Sequence, residues 1–188
     1  MTTATARQSN SINGVDLDVL METVGAIQKD PGLGVARFRA SNTWIDGNRN
    51  RSEVTGFYGA RQEIAHGQAF TMDADEPPIL AGQDTAPNPV EHLLHALASC
   101  LTTSMVAHAA VRGIAIEELE SELEGDIDLN GFLGLDASVP KGYTEIRVKF
   151  RVKADPADVD RIKALAEFSP VFNTITRGAN VDVSVDLK

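Results

Sequence analysis

Residues 88–113 read NPVEHLLHALASCLTTSMVAHAAVRG, and this stretch decides the fold. Val90, Leu93, Leu94, Leu97, Ala98, Leu101, Met105 and Ala109 recur at helical spacing over a broad face, which predicts a largely buried helix from Pro89 to Arg112. Asn88 stands at its N-cap, and Pro89 occupies the first helical position, where a missing N–H leaves nothing unpaired. Glu91 falls at the third position, so a capping box with Asn in place of Ser or Thr is predicted. Gly113 follows the last turn as a stop.

Downstream, two segments alternate with opposite charge. Leu119, Leu123, Ile127 and Leu129 alternate with Glu120, Glu122, Glu124, Asp126 and Asp128. Ile146, Val148, Phe150 and Val152 alternate with Arg147, Lys149, Arg151 and Lys153. Antiparallel pairing sets acid against base, each pair contributing ~0.2–1 kcal/mol. These are solvated faces that fix register, not a binding patch. Asp155-Pro156 opens a further helix with Val159, Ile162, Leu165 and Ala166 inward, and Ser169-Pro170 interrupts it and opens a short turn through Thr176. Arg177-Gly178 then turns the chain into a last alternating strand of Val181, Val183, Val185 and Leu187.

Upstream, Asp73 to Asn88 is a loop rich in Pro, Gly, Asp and Asn, preceded by short strands at Gln68–Met72 and Ser52–Tyr58 and a turn at Asp46-Gly47-Asn48. Val35 to Trp44 alternates, with Ala36, Phe38, Ala40 and Trp44 on one face. Asp16 to Lys29 is helical in spacing and is stopped by Pro31 and Gly32. Residues 1–13 read as a loose polar leader. No internal repeat, low-complexity tract or linker divides the chain.

The chain has 188 residues with 43% hydrophobic and 23% charged, a globular composition. A formal net charge of −10 argues against nucleic acid and against anionic membrane surfaces. Apolar runs are broken within a few residues, so no membrane-spanning segment is expected. The N-terminus lacks a charged start followed by an apolar stretch, which makes the cytoplasm the expected compartment. One cysteine, Cys100, excludes an intramolecular disulfide and fits a reducing environment.

Cys100 lies mid-helix on a stripe with Leu93, Ala96, Leu97, Ser104 and Ala107. That setting suits an inert, core-packing cysteine. A nucleophilic thiolate instead needs a nearby cation, and no Lys or Arg lies within a helical turn, so the cation would come from another segment or another subunit. Glu91 is a candidate catalytic carboxylate, although its capping position explains it equally. His92 and His95, three apart, could share a metal, yet neither HExxH nor a Cys/His cluster supports this, and no metal is expected. His66 and His108 are isolated, and no GxGxxG, P-loop or GxSxG pattern points to a cofactor or a serine nucleophile.

The stretch Asp75-Glu76-Pro77-Pro78-Ile79-Leu80-Ala81-Gly82, followed by Ala86 to Leu101 and by Ser169-Pro170-Val171, resembles the OsmC/Ohr family of osmotically induced and organic-hydroperoxide-resistance proteins. The resemblance covers residues 35–188 and leaves 1–34 as an N-terminal leader and helix extension. It implies an α+β fold, with two curved antiparallel β-sheets around central helices, in an intertwined homodimer with active sites at the subunit interface. It also implies thiol chemistry. Cys100 matches the cysteine that attacks the hydroperoxide. The resolving cysteine of the family is Ser169 here, and a serine cannot form the disulfide. The family carboxylate falls at Val90, and Glu91 stands one residue later, turned by about 100° on the helix. The activating arginine falls at Arg49, with Arg51 and Arg39 as rivals.

Three readings are compatible with these residues. The first is a one-cysteine peroxidase for small apolar hydroperoxides, with Cys100 as nucleophile, Arg49 lowering its pKa, Glu91 holding that arginine, and an external thiol as reductant. The second is a catalytically decayed relative that binds an apolar small molecule at the dimer interface. The third is a purely structural dimer in which Cys100 is core packing.

Overall fold

The structure is a computed structural model that describes residues 10–188. The part of the expected leader that spans residues 1–9 lies outside the described residues. The fold is mixed α and β, as expected, with two compact units. One comprises Asp16–Leu93 with Asn10, and the other Ser11–Val15 with Leu94–Lys188.

The leader expectation fails at its C-terminal end. Strands β1 (Ser11–Ile12) and β2 (Val15–Asp16) pair around Asn13-Gly14, both with positive φ, in the conformation that an Asn-Gly hairpin turn requires. Asn13 is anchored in its own unit, where its amide donates to the Ile114 carbonyl and its side-chain oxygen accepts from the Ile116 N–H. Asp16 caps α1 (Leu17–Lys29) by accepting from the N–H groups of Asp18 and Val19, and no residue of α1 is buried.

The first unit carries a four-stranded antiparallel sheet. β3 (Arg37–Phe38) and β4 (Ser41–Asp46) pair in succession along one edge of β5 (Arg49–Gly59), and β6 (Gln62–Ala74) pairs along the other. The single strand expected over Val35–Trp44 is therefore two, interrupted at Arg39-Ala40. Its apolar face is exposed, with Phe38 and Trp44 more than two-thirds accessible. β5 and β6 are longer than expected and meet at Ala60-Arg61, both with positive φ. Gly56 sits at a bulge, where a Cβ would come within 2.3 Å of the Ile64 carbonyl oxygen.

Helix α2 (Pro89–Val111) begins as predicted, with the Asn88 side chain accepting from the Glu91 N–H and the Glu91 carboxylate accepting from the Asn88 N–H, both at 2.8 Å. Its burial is narrower than its composition suggests. Leu97, Leu101, Met105 and Ala109 form one buried row at four-residue spacing, joined by Ala110, while Leu93 and Val111 are exposed. By length and composition α2 could cross a membrane, contrary to the expectation that no segment could; a core helix of this length meets the same test.

In the second unit, β7 (Ile116–Asp126) and β8 (Glu145–Ala154) pair antiparallel, with Glu118 opposite Lys153, Glu120 opposite Arg151, Glu122 opposite Lys149 and Glu124 opposite Arg147. The charge ladder holds as predicted, with Arg151 on Glu120 and Glu122 and Arg147 on Glu124 and Asp126. β7 ends at Asp126, so the expected alternation at Ile127 and Leu129 stops early, and Leu129 opens the short helix α3 (Leu129–Phe132). The inner face of this sheet meets a core of Met105, Ala109, Ile114, Ile162 and Leu165. Ile162 lies on α4 (Val159–Ala164), and Leu165 lies in the 3-10 turn that follows. Ser169-Pro170 then starts α5 (Pro170–Arg177) as predicted. The expected final strand is absent from the described chain. Val181, Val183, Val185 and Leu187 are 80–102% accessible and have no strand beside them. An alternating segment becomes a strand only when an edge pairs with it, and this one meets none.

Candidate functional site

Cys100 is the free thiol of the chain and lies in the second unit on α2, half-buried beside Leu97 and Leu101 of the buried row. Partial exposure of the residue differs from the full burial expected of an inert core cysteine. Its neighbours along the helix turn their polarity inward to the backbone. The Ser99 hydroxyl donates to the Ala96 carbonyl, and the Thr103 hydroxyl donates to that of Ser99.

Ser169 is fully buried and caps α5. Its hydroxyl accepts from the Phe172 N–H at 3.2 Å, and its carbonyl accepts from the N–H and the side-chain amide of Asn173. The position is thus occupied by a helix cap, a role for which oxygen is better suited than sulfur. Ser169→Ala is expected to lower stability by about 1 kcal/mol, read from urea unfolding, without adding any redox property.

Beside Ser169 the structure assembles a group that the sequence did not suggest. The His108 ring stacks on Phe168 at 4.1 Å, and the Arg112 guanidinium lies 5.1 Å from the centre of the same ring. Arg112 also donates to His108 Nδ1 at 3.1 Å. Burial, with the Arg112 charge behind it, pushes the His108 pKa down, so this histidine is a neutral acceptor and not an isolated surface group.

In the first unit the three arginine candidates differ in how they are held. Arg39 makes two hydrogen bonds to Glu63, at 2.7 and 2.9 Å. Arg51 makes two to Asp73, at 2.6 and 2.8 Å. These side-chain hydrogen bonds, more than charge alone, hold both carboxyls below the usual range and both guanidinium pKa values above theirs. Arg49 makes a single contact to Asp46, at 3.3 Å. Glu91 stands in the capping box with one oxygen committed to the Asn88 N–H.

The loop that delivers Asn88 is organised by a residue not singled out from the sequence. Asp75 is buried and accepts from the N–H groups of Glu76, Gln83 and Thr85 and from the Thr85 hydroxyl, at 2.8–3.2 Å. Burial pushes its pKa up, but those hydrogen bonds outweigh it and hold the group at about 2. Gly82 closes the same loop, since a Cβ there would lie 1.6 Å from the Glu76 carbonyl oxygen. His92 donates from Nε2 to the Asp73 carbonyl at 2.9 Å, which gives it a structural role. Among the described residues no group of three or more His, Cys, Asp or Glu could hold a metal.

None of the curated proteins matches the chain. Solved structures share its fold. A protein of Psychrobacter arcticus, provisionally described as an osmotic stress induced and detoxification response protein, is 18% identical, with a TM-score of 0.56 over 74% of this chain and 88% of its own. An OsmC-like protein of Mycoplasma pneumoniae is 17% identical, with a TM-score of 0.55 over 74% and 87%. An organic hydroperoxide resistance protein OsmC of Legionella pneumophila, described as a predicted redox protein and regulator of sulfide bond formation, is 17% identical, with a TM-score of 0.50 over 73% and 89%. The OsmC-like protein profile matches residues 82–184, a stretch that spans the capped helix, Cys100, the paired strands and Ser169. The chain belongs to the OsmC-like protein family.

Proposed function

We propose that this protein is a one-cysteine thiol peroxidase that reduces small organic hydroperoxides and works as a homodimer. The observation that carries the reading is Cys100, a free and partly exposed cysteine within the segment matched to the family. Arg49 supports it as the least committed of the three arginines, and one Glu91 oxygen remains outside the cap to hold that guanidinium. A cation beside the sulfur favours the thiolate, the form that attacks.

The chemistry closes with one sulfur. The Cys100 thiolate attacks an oxygen of the O–O bond, that bond breaks, and the alcohol leaves after taking up a proton. Cys100 becomes a sulfenic acid. An external thiol then displaces water to form a mixed disulfide, and a second external thiol releases Cys100 and departs as its own disulfide. Ser169 takes no part in this cycle.

The reading is tested by the intact mass of the reduced protein after one equivalent of an organic hydroperoxide, with hydrogen peroxide alongside. Gain of one oxygen, about 16 Da, within seconds and faster with the organic peroxide is expected. A thiol that stays reduced for minutes overturns it. That outcome favours the binding reading instead, which the loss of a sulfur at Ser169 and of a carboxylate at Val90 supports.

A further inference from the structure

We infer that the second unit holds a binding site for an aliphatic carboxylate of roughly eight to ten carbons, with its tail inside an apolar cavity and its carboxylate on Lys163 at the mouth. The cavity has a volume of about 270 Å³ and lies between the β7–β8 sheet and helices α2 and α4. Phe150 and Val152 of β8 line it from the sheet, and Met105 and Ile162, both buried, line it from the helices. Val148 and Val159 also line it and are exposed, so they mark the side open to solvent.

The lining decides what can fill this space. A trapped water needs roughly two to four polar partners, and these six side chains offer none. An apolar cavity of ~150 Å³ takes benzene, so one of about 270 Å³ suits a chain of roughly eight to ten carbons. Lys163 is the charged residue of the lining, and it is exposed. A lysine in that position lays its stem along the apolar wall and holds its ammonium at the opening. It makes no ion pair among the described residues, although Asp160 lies three residues before it and Glu167 four after. A carboxylate arriving with an apolar tail therefore meets a cation with no competing acid on it.

This site is apart from the thiol. Cys100 does not line the cavity, and Met105, five residues on, points about 140° away around α2. A carboxylate also carries no O–O bond for a thiolate to break. Every lining residue belongs to one unit of one chain, so the inference rests neither on the peroxidase chemistry nor on a homodimer.

The test uses the full chain, labelled with carbon-13 at its methionine methyl groups. It is titrated with octanoate, and separately with octan-1-ol, which keeps the tail and lacks the charge. The Met105 signal is the one missing from Met105→Leu. Octanoate is expected to move that signal saturably, with a Kd about fivefold below that of the alcohol. Lys163→Gln is expected to bring the two ligands level without weakening the alcohol; the side chain is exposed, so the fold is not at stake. Val148→Trp, which fills the mouth, is expected to abolish binding of both, with the thermal midpoint showing that the chain is folded. A Met105 signal that stays still at millimolar octanoate overturns the site. Binding that persists in folded Val148→Trp places the ligand elsewhere and overturns it as well. Equal affinity for octanoate and octan-1-ol in the parent chain overturns the carboxylate and the role of Lys163.

Discussion

Cys100→Ser is expected to abolish the consumption of organic hydroperoxide, leaving only the buffer rate, while the thermal midpoint moves by no more than a few degrees. The two readouts belong together. A serine hydroxyl stays protonated at neutral pH and cannot replace a thiolate as the attacking group. The substitution is nearly isosteric, and the site is only half-buried, so packing changes little. Peroxide consumption followed with a ferrous-ion assay separates the cases. Residual turnover well above buffer in the serine protein would remove Cys100 from the chemistry. Arg49→Lys is expected to keep part of the rate, and Arg49→Ala to lose it by on the order of 10²-fold through a thiol that ionises less readily.

Asp75→Ala is expected to be the most damaging single change to stability, lowering the thermal midpoint by on the order of 10 °C. It removes the acceptor of three backbone N–H groups and one hydroxyl inside a closed loop, and a methyl group satisfies none of them. The same contacts set a pH dependence. The folded carboxyl sits at about 2, below its ordinary value of 3.8. Its contribution is therefore present in full above pH 4 and fades as pH falls through 4 toward 2. Asp73, Glu63 and Asp126, each held below the usual carboxyl range by an arginine, act in the same direction. Acid unfolding followed by circular dichroism should show a steep loss in this window, shallower in Asp75→Ala than in the parent. An unchanged acid transition would show that the loop is not held by this carboxylate.

The parts of the fold legible in the sequence are those in which the signal is local and redundant. Asn88, Pro89 and Glu91 mark one helix start in three ways, and the opposed charges of 118–126 and 145–153 name each other as partners. Elements that depend on distant chain were harder to read. The turn at Ala60-Arg61 adopts positive φ without Gly, Asn or Asp, so nothing in its composition announces it, and β5 and β6 were correspondingly underestimated. Asn13-Gly14 did carry a hairpin signal, hidden by the short strands around it. The apolarity of α2 predicted more burial than the structure shows, and the tail predicted a strand that has no partner among the described residues. Of the candidate site, Cys100 was readable from its motif. The difference between Arg49 and its rivals was not, because Glu63 and Asp73, which occupy Arg39 and Arg51, lie 24 and 22 residues away. Asp75 opens the quoted motif, but its role was hidden for a similar reason, since its donors at Gln83 and Thr85 are brought to it only by loop closure.

The oxygen atom that caps α5 at Ser169 has a kinetic consequence. With no second cysteine in the chain, an oxidised Cys100 has no rescuing thiol carried on the same molecule. Its lifetime is set by collisions with thiols in the surroundings, in competition with a further molecule of oxidant. A win for the oxidant gives a sulfinic acid, which ordinary thiols do not reverse. Under the proposed chemistry the protein is protective where thiols are abundant and is progressively consumed where they run short, so the surviving active fraction records the reducing capacity of its surroundings.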